Sequence, residues 1–193
     1  MNVEDIKKAK TILIGKNIKY YEQITSTHTM AKQISLQDVN GTILLADLQT
    51  AGIGTKGRKW YTGKGKNIAM TIILKPKCKI EKLKNLTKII AISMQQAIQE
   101  LYNYELTIKE PNDLLLNGKK ICGILTEINT IAEHINYLLI SVGFNVNEEE
   151  FSQETENIAT SLKKEYHKDF KREDIIIKFI EKLEDNILEE IEL

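Results

Sequence analysis

The sequence predicts an α+β protein in which helices pack against a mixed, mostly antiparallel sheet. Three observations point there. Short β-branched and apolar runs recur between turn signals, as at 42–48 and 67–74. Residues 80–102 carry Ile80, Leu83, Leu86, Ile90, Met94, Ala97, Ile98 and Leu101 at spacings of three and four, which makes one buried helical face. Asn117-Gly118 stands between two apolar runs, the signal of a type I′ hairpin.

In chain order, residues 4–10 predict a short helix and 19–23 a strand. Ser26 or Thr27 can cap a helix reaching about Ile34. Strands follow over 42–48, 67–74 and 106–109, the last ending at Pro111. The hairpin pairs 114–116 with 119–128, another strand spans 137–146, and 158–166 and 173–191 are helical. No repeat or low-complexity linker divides the chain, so residues 1–193 are expected to form a single domain.

At 193 residues and 42% hydrophobic, the chain can bury a real core. A net charge of zero argues against a globally basic nucleic-acid binder and against an acidic disordered tail. No apolar run approaches the roughly 20 residues of a membrane span, and the first residues lack the basic start and apolar run of a secretory signal. Two cysteines, Cys78 and Cys122, are too few for a disulfide framework or zinc cluster. A cytoplasmic protein with free thiols is the simplest reading.

The charge is uneven. Residues 147–193 hold 15 acidic side chains against 7 basic ones, consistent with solvated helix faces. The compensating basic excess has its focus at Gly52–Lys66, GIGTKGRKWYTGKGK, with five cations and no acid. This stretch also holds five of the ten glycines, the only tryptophan and one of two arginines, a composition that favours a ligand-binding loop. Gly52, Gly54 and Gly57 permit close backbone approach, and backbone amides with Lys56, Arg58 and Lys59 could hold a phosphate. The Walker A ending is absent, and a strand rather than a helix follows, which excludes a dinucleotide fingerprint. Trp60 either faces a nucleobase or fills a core edge.

A second constellation is Lys109-Glu110-Pro111-Asn112-Asp113 followed by Lys119-Lys120-Ile121-Cys122-Gly123. Asn112 and Asp113 fit ordinary turn chemistry or a ligand role. Strand alternation predicts Lys120, Cys122 and Ile124 on one face, where a buried lysine would need an anionic partner. Ser26, Thr27 and His28 sit at a helix start, where capping explains one hydroxyl and ligand binding could use the other. The three histidines have no metal-ligand spacing, no nucleophile elbow is present, and Cys122 reads as a core residue before a nucleophile.

In order and spacing these segments resemble the catalytic domain of the biotin protein ligase family. The resemblance rests on Ser26-Thr27, Ala46-Asp47-Leu48-Gln49-Thr50-Ala51-Gly52, Gly57-Arg58-Lys59-Trp60, Lys109 with Pro111-Asn112-Asp113, Lys119-Lys120 with Gly123-Ile124-Leu125 and Glu127, and Gly143-Phe144-Asn145-Val146-Asn147. It continues through Ile158-Ala159-Thr160-Ser161-Leu162 and covers about residues 18–190. It implies a class II synthetase-like fold and an ATP-dependent ligase. Such an enzyme joins biotin and ATP, with Mg²⁺, as biotinyl-5′-adenylate and passes the acyl group to a lysine of a carboxylase's biotin carrier domain. It implies Lys120 at the reacting centre. Ser26, Thr27, His28, Gln49, Gly52, Ile53, Gly54, Thr55 and Gly123 would lie around biotin. Lys56, Gly57, Arg58, Lys59, Trp60, Asn112, Asp113 and Asn145 would lie around the adenylate, with Asp113 toward a metal. Some members pair edge to edge, so a homodimer is compatible with it.

Departures carry expectations too. The family's loop usually has arginines where this chain has Ile53 and Thr55, so the adenylate should be held more loosely. Glu110 replaces a tryptophan, His28 an asparagine and Ser141 a glycine. Neither the winged helix that precedes the domain in some members nor the usual C-terminal β-barrel is evident, so DNA binding is not expected. Two other functions fit the same residues: a lipoate- or octanoate-type protein ligase, and a non-catalytic biotin- or nucleotide-binding module.

Overall fold

The computed structural model describes residues 1–132 and 134–191. Its sheet has seven strands: β1 (Ile18–Tyr21), β2 (Thr42–Ala46), β3 (Ile68–Leu74), β4 (Thr107–Lys109), β5 (Asp113–Leu116), β6 (Lys119–Ile131) and β7 (His134–Phe144). They lie in the order β1-β2-β3-β7-β6-β5-β4. Among the described strands β1 and β2 are parallel, and the other neighbouring pairs are antiparallel. Among the described residues the α-helices are α1 (Val3–Ile6), α2 (Thr27–Ile34), α3 (Leu86–Tyr102), α4 (Leu162–Tyr166) and α5 (Arg172–Leu188). The expected α+β layer arrangement is what the chain adopts.

The two sheet faces have different chemistry, and this places the site. Ile43 and Leu45 of β2, Met70 and Ile72 of β3, and Leu138, Ile140 and Phe144 of β7 belong to the main core with residues of α3 and α5. Their neighbours point the other way. At one end of that second face, Leu44, Ile73, Tyr137 and Leu139 pack on Ala31 of α2. Toward the other end the facing positions turn polar or bare: Thr71 pairs with Ser141, and Gly143 with Gly123. A face without side-chain bulk leaves room for a ligand and for the loop that covers it.

Local boundaries moved for identifiable reasons. Ile80, Leu83 and Leu86 are spaced by three, the 3₁₀ period, so a separate 3₁₀ turn forms over Ile80–Leu83 and the α-helix starts at Leu86. The helix predicted over 158–166 begins only at Leu162, because Ala159 pairs alongside Lys120 and the Ser161 hydroxyl accepts from Lys164 N at 3.0 Å as the cap. The first helix stops at Ile6. The type I′ turn is present, with φ of 50° at Asn117 and 78° at Gly118. The β6–β7 hairpin is longer than its apolar run suggested, reaching Ile131 and His134.

Candidate active site

Gln49, just beyond β2, reaches the start of α2. Its Oε1 accepts from Thr27 N at 2.8 Å and from Thr27 Oγ1 at 3.1 Å. Ser26 is the α2 cap, its hydroxyl accepting from Thr29 N. Thr71 donates to Thr27 Oγ1 at 3.0 Å and lies 2.8 Å from Ser141 Oγ. Ser141 Oγ is 2.9 Å from His28 Nδ1, and His28 Nε2 is 3.1 Å from Glu127 Oε2. Lys32 closes the series on Glu127 Oε1 at 2.7 Å. Burial raises the Glu127 carboxyl pKa, but hydrogen bonds from Lys32 and His28 outweigh it and hold the group below the usual range. The result is a polar wall across α2, β3, β7 and β6.

The glycine loop folds over this wall as a small hairpin of its own. Trp60 N donates to Gly52 O at 2.9 Å, Gly54 N donates to Arg58 O at 2.7 Å, and Ile53 pairs with Lys59. Lys56 and Gly57 make the turn with φ of 57° and 71°. Lys56, Gly57, Arg58 and Lys59 are exposed. Thr55 receives the Arg58 guanidinium, with Nη2 2.9 Å from Oγ1, so the loop's only arginine is folded back on its own strand. Gly52 is required: a Cβ there would overlap the backbone carbonyl oxygen of Trp60 and stand 2.8 Å from Gln49 Nε2. Trp60 lies on the bare pair, where a Cβ on Gly123 would be 2.9 Å from Cζ3 and one on Gly143 2.7 Å from Cζ2. Its Nε1 is buried without a hydrogen-bond partner among the described residues, a donor that a ligand acceptor would satisfy.

Beside the indole stands Lys120. Its Nζ is 2.6 Å from Asp113 Oδ1 and 5.5 Å from the Trp60 ring centroid. Asp113 Oδ1 is buried and, among the described residues, has no partner besides that ammonium. The expectation that Lys120 shares a face with Cys122 and Ile124 is corrected here. Leu114 pairs with Cys122 and Leu115 with Lys120, which leaves Ile121 as an extra residue on β6. This bulge turns Lys120 onto the face of Gly123, whose added Cβ would lie 3.3 Å from Lys120 Cε. Cys122 and Ile124 stay in the main core. Burial pushes the Cys122 thiol far above its ordinary pKa, which removes it as a nucleophile.

Two expected site residues act on backbone. Asn112 Nδ2 donates to Ile124 O at 3.1 Å. Asn145 Nδ2 donates to Thr160 O at 3.0 Å, in the segment paired with Lys120. Among the described residues no group of three or more His, Cys, Asp or Glu side chains is placed to hold a metal. Sequence reasoning passed over Thr71 as a site residue, and over Arg172, which supports the loop's base. Arg172 Nη1 donates to Asp47 Oδ1 at 2.8 Å and to Asn67 O at 3.1 Å, and Tyr20 donates its hydroxyl to Asp47. Gly65 N then donates to Asp47 O at 3.0 Å. An open cleft of about 710 Å³ lies between α3 and α5, lined by none of these groups.

One face of the mixed sheet thus carries a polar wall, a cationic glycine loop and the Lys120 amine beside the indole. The chain belongs to the biotin/lipoate A/B protein ligase family, whose profile matches residues 20–147. It is 36% identical over 156 residues to the bifunctional ligase/repressor BirA of Bacillus subtilis, covering 79% of this chain and 48% of that protein. It is 33% identical over 105 residues to the biotin--[acetyl-CoA-carboxylase] ligase of Paracoccus denitrificans, covering 53% of this chain and 43% of that protein. The chain thus spans about half the length of these curated relatives. Its fold is similar to the biotin protein ligase of Aquifex aeolicus solved with biotin and ATP, with TM-score 0.79 and 30% identity, covering 90% of this chain and 71% of that one. The biotin protein ligase of Leishmania major solved with biotinyl-5-AMP gives TM-score 0.74 and 26% identity, covering 91% and 76%.

Proposed function

We propose that this chain activates biotin with ATP as biotinyl-5′-adenylate and transfers the acyl group to a lysine of a carboxylase's biotin carrier domain. The observation that carries the reading is the Lys120 ammonium, paired with Asp113 and standing beside the indole on the glycine pair. Two anions, a carboxylate and an α-phosphate, must meet for the reaction, and a fixed cation between them offsets their repulsion. A biotin carboxylate oxygen attacks the α-phosphorus, and pyrophosphate leaves with the electrons of the broken P–O bond. The carrier amine then attacks the acyl carbon and AMP departs.

In this reading Ser26, Thr27, His28 and Gln49 face the polar ring system, and Gly52, Ile53, Gly54, Thr55 and Gly123 border it. Lys56, Gly57, Arg58, Lys59 and Trp60 cover the adenylate, and Asn145 lines its adenine side. Asn112 supports the strand end that presents Asp113. Asp113, paired here with Lys120, is the carboxylate that would face Mg²⁺, which would offset phosphate charge when bound with ATP. The proposed site of action is the cytoplasm, a reading that the two free cysteines support. DNA binding and a homodimer are not part of the proposal.

The test is incubation with biotin, labelled ATP and Mg²⁺, followed by a biotin carrier domain. Labelled adenylate, then a biotinylated carrier and released AMP, are expected. Turnover only with lipoate or octanoate, or saturable biotin binding without pyrophosphate release, would overturn the assignment.

A further inference from the structure

Two of the departures from the family's usual residues, His28 and Ser141, meet in space at 2.9 Å. They are links in a chain with both ends pinned. At one end Gln49 Oε1 receives the Thr27 backbone N–H, which can only donate, so this atom is the amide oxygen and can only accept. At the other end Glu127 receives the Lys32 ammonium and is an ionised acceptor. Between them run five contacts: Thr27–Gln49, Thr71–Thr27, Ser141–Thr71, His28–Ser141 and His28–Glu127. Each needs one hydrogen. The three hydroxyls supply one each. Thr27 spends its own on Gln49, so Thr71 donates to Thr27 and Ser141 to Thr71. Two contacts remain, and the imidazole must fill both.

We propose that His28 is a positioning residue held as the imidazolium, Nδ1–H toward Ser141 and Nε2–H toward Glu127, and that it sets the direction of the hydroxyl chain presented to the acid substrate. The charged groups facing this chain are Glu127 from β6 and Lys32 from α2, with the Tyr137 phenol of β7 near Lys32; β3 and β7 otherwise contribute the hydroxyls Thr71 and Ser141. With His28 charged, every hydroxyl hydrogen runs toward Gln49, and Thr27 Oγ1 keeps a lone pair for an N–H of the ligand. Without that proton, Ser141 must turn its hydrogen to Nδ1. The Ser141–Thr71 contact then survives only if Thr71 turns away from Thr27. The functional half of the inference rests on the biotin-activating reading; the protonation half does not.

The test has two readouts. In the full chain with ¹⁵N-labelled histidine, NMR at neutral pH is expected to find both His28 nitrogens bearing hydrogen. A neutral ring with one bare nitrogen overturns the proposal, whatever the enzyme assay gives. In the adenylation assay, KM for biotin is expected to rise about tenfold, equivalent to about 1.4 kcal/mol, as pH rises through the loss of that proton, with kcat changed little. His28→Asn should flatten this pH dependence of KM while leaving the fold intact. An unflattened profile in that variant also overturns the proposal. A chain that shows a charged His28 yet never activates biotin would fault the function assignment and leave the protonation assignment standing.

Discussion

Gly143→Ala tests how the indole is seated. The new methyl would lie 2.7 Å from Trp60 Cζ2, with Cε2 and Nε1 closer still. Carbon atoms in ordinary contact stand about 3.5–4.0 Å apart, so the ring must retreat by about 1 Å or more. Gly143 lies within β7, paired with Ala69 and Gly123, and has no positive φ, so alanine costs the backbone nothing and the fold should survive. The loss falls on the indole's burial, worth about 1.5–3 kcal/mol for a large apolar side chain, or about ten- to a hundredfold in adenylate formation. Trp60 is the only tryptophan, so intrinsic fluorescence reports this one ring, and its emission should shift to the red. Gly123→Ala, whose nearest indole atom is 2.9 Å away, should give a smaller shift. Unchanged emission and activity in Gly143→Ala would refute the seating of Trp60 on the glycine pair.

Two further outcomes are expected. Thr55→Arg restores a loop cation and removes the hydroxyl that holds Arg58 Nη2; with a charged hydrogen bond worth about 1.5–3 kcal/mol, release of bound biotinyl-adenylate should slow about ten- to a hundredfold in a dissociation assay. Asp47 is raised by burial but lowered further by Tyr20 and Arg172, leaving its carboxyl below the usual range. Its contribution to stability is therefore present above about pH 4, the ordinary carboxylate range, and is lost as pH falls through the lower folded value. Arg172→Ala breaks this pair at a cost of about 3 kcal/mol, and denaturation as a function of pH should show a flatter acid limb than the parent.

Where periodicity and turn chemistry were local, the sequence was enough. The α3 face, the Asn117-Gly118 turn and the apolar β3 run are each set by residues adjacent in the chain; the turn and β3 sit where expected, and α3 does so from Leu86 onward. The glycine loop was legible for the same reason, since its cations, glycines and tryptophan lie within fifteen residues. What failed was anything that depended on a distant partner. Ile121 looks like one more strand residue until β5 pairs past it and makes it a bulge, and that single shift decides which face receives Lys120. Arg172 is an ordinary cation in an acidic helix until the fold sets it on Asp47, 125 residues away. His28 and Ser141 each read as an isolated departure, although 113 residues of chain bring them into one hydrogen bond.

The central claim is that the amine of Lys120 brings an acyl carboxylate and a nucleotide phosphate together on this face. Biotin-dependent exchange of labelled pyrophosphate into ATP tests it most directly, because exchange reports the adenylation step without any carrier. The parent chain should exchange, and Lys120→Ala, folded by circular dichroism, should lose about a hundred- to a thousandfold of that rate, as expected when one electrostatic stabiliser of a transition state is removed. Near-normal exchange in the folded variant would contradict the account.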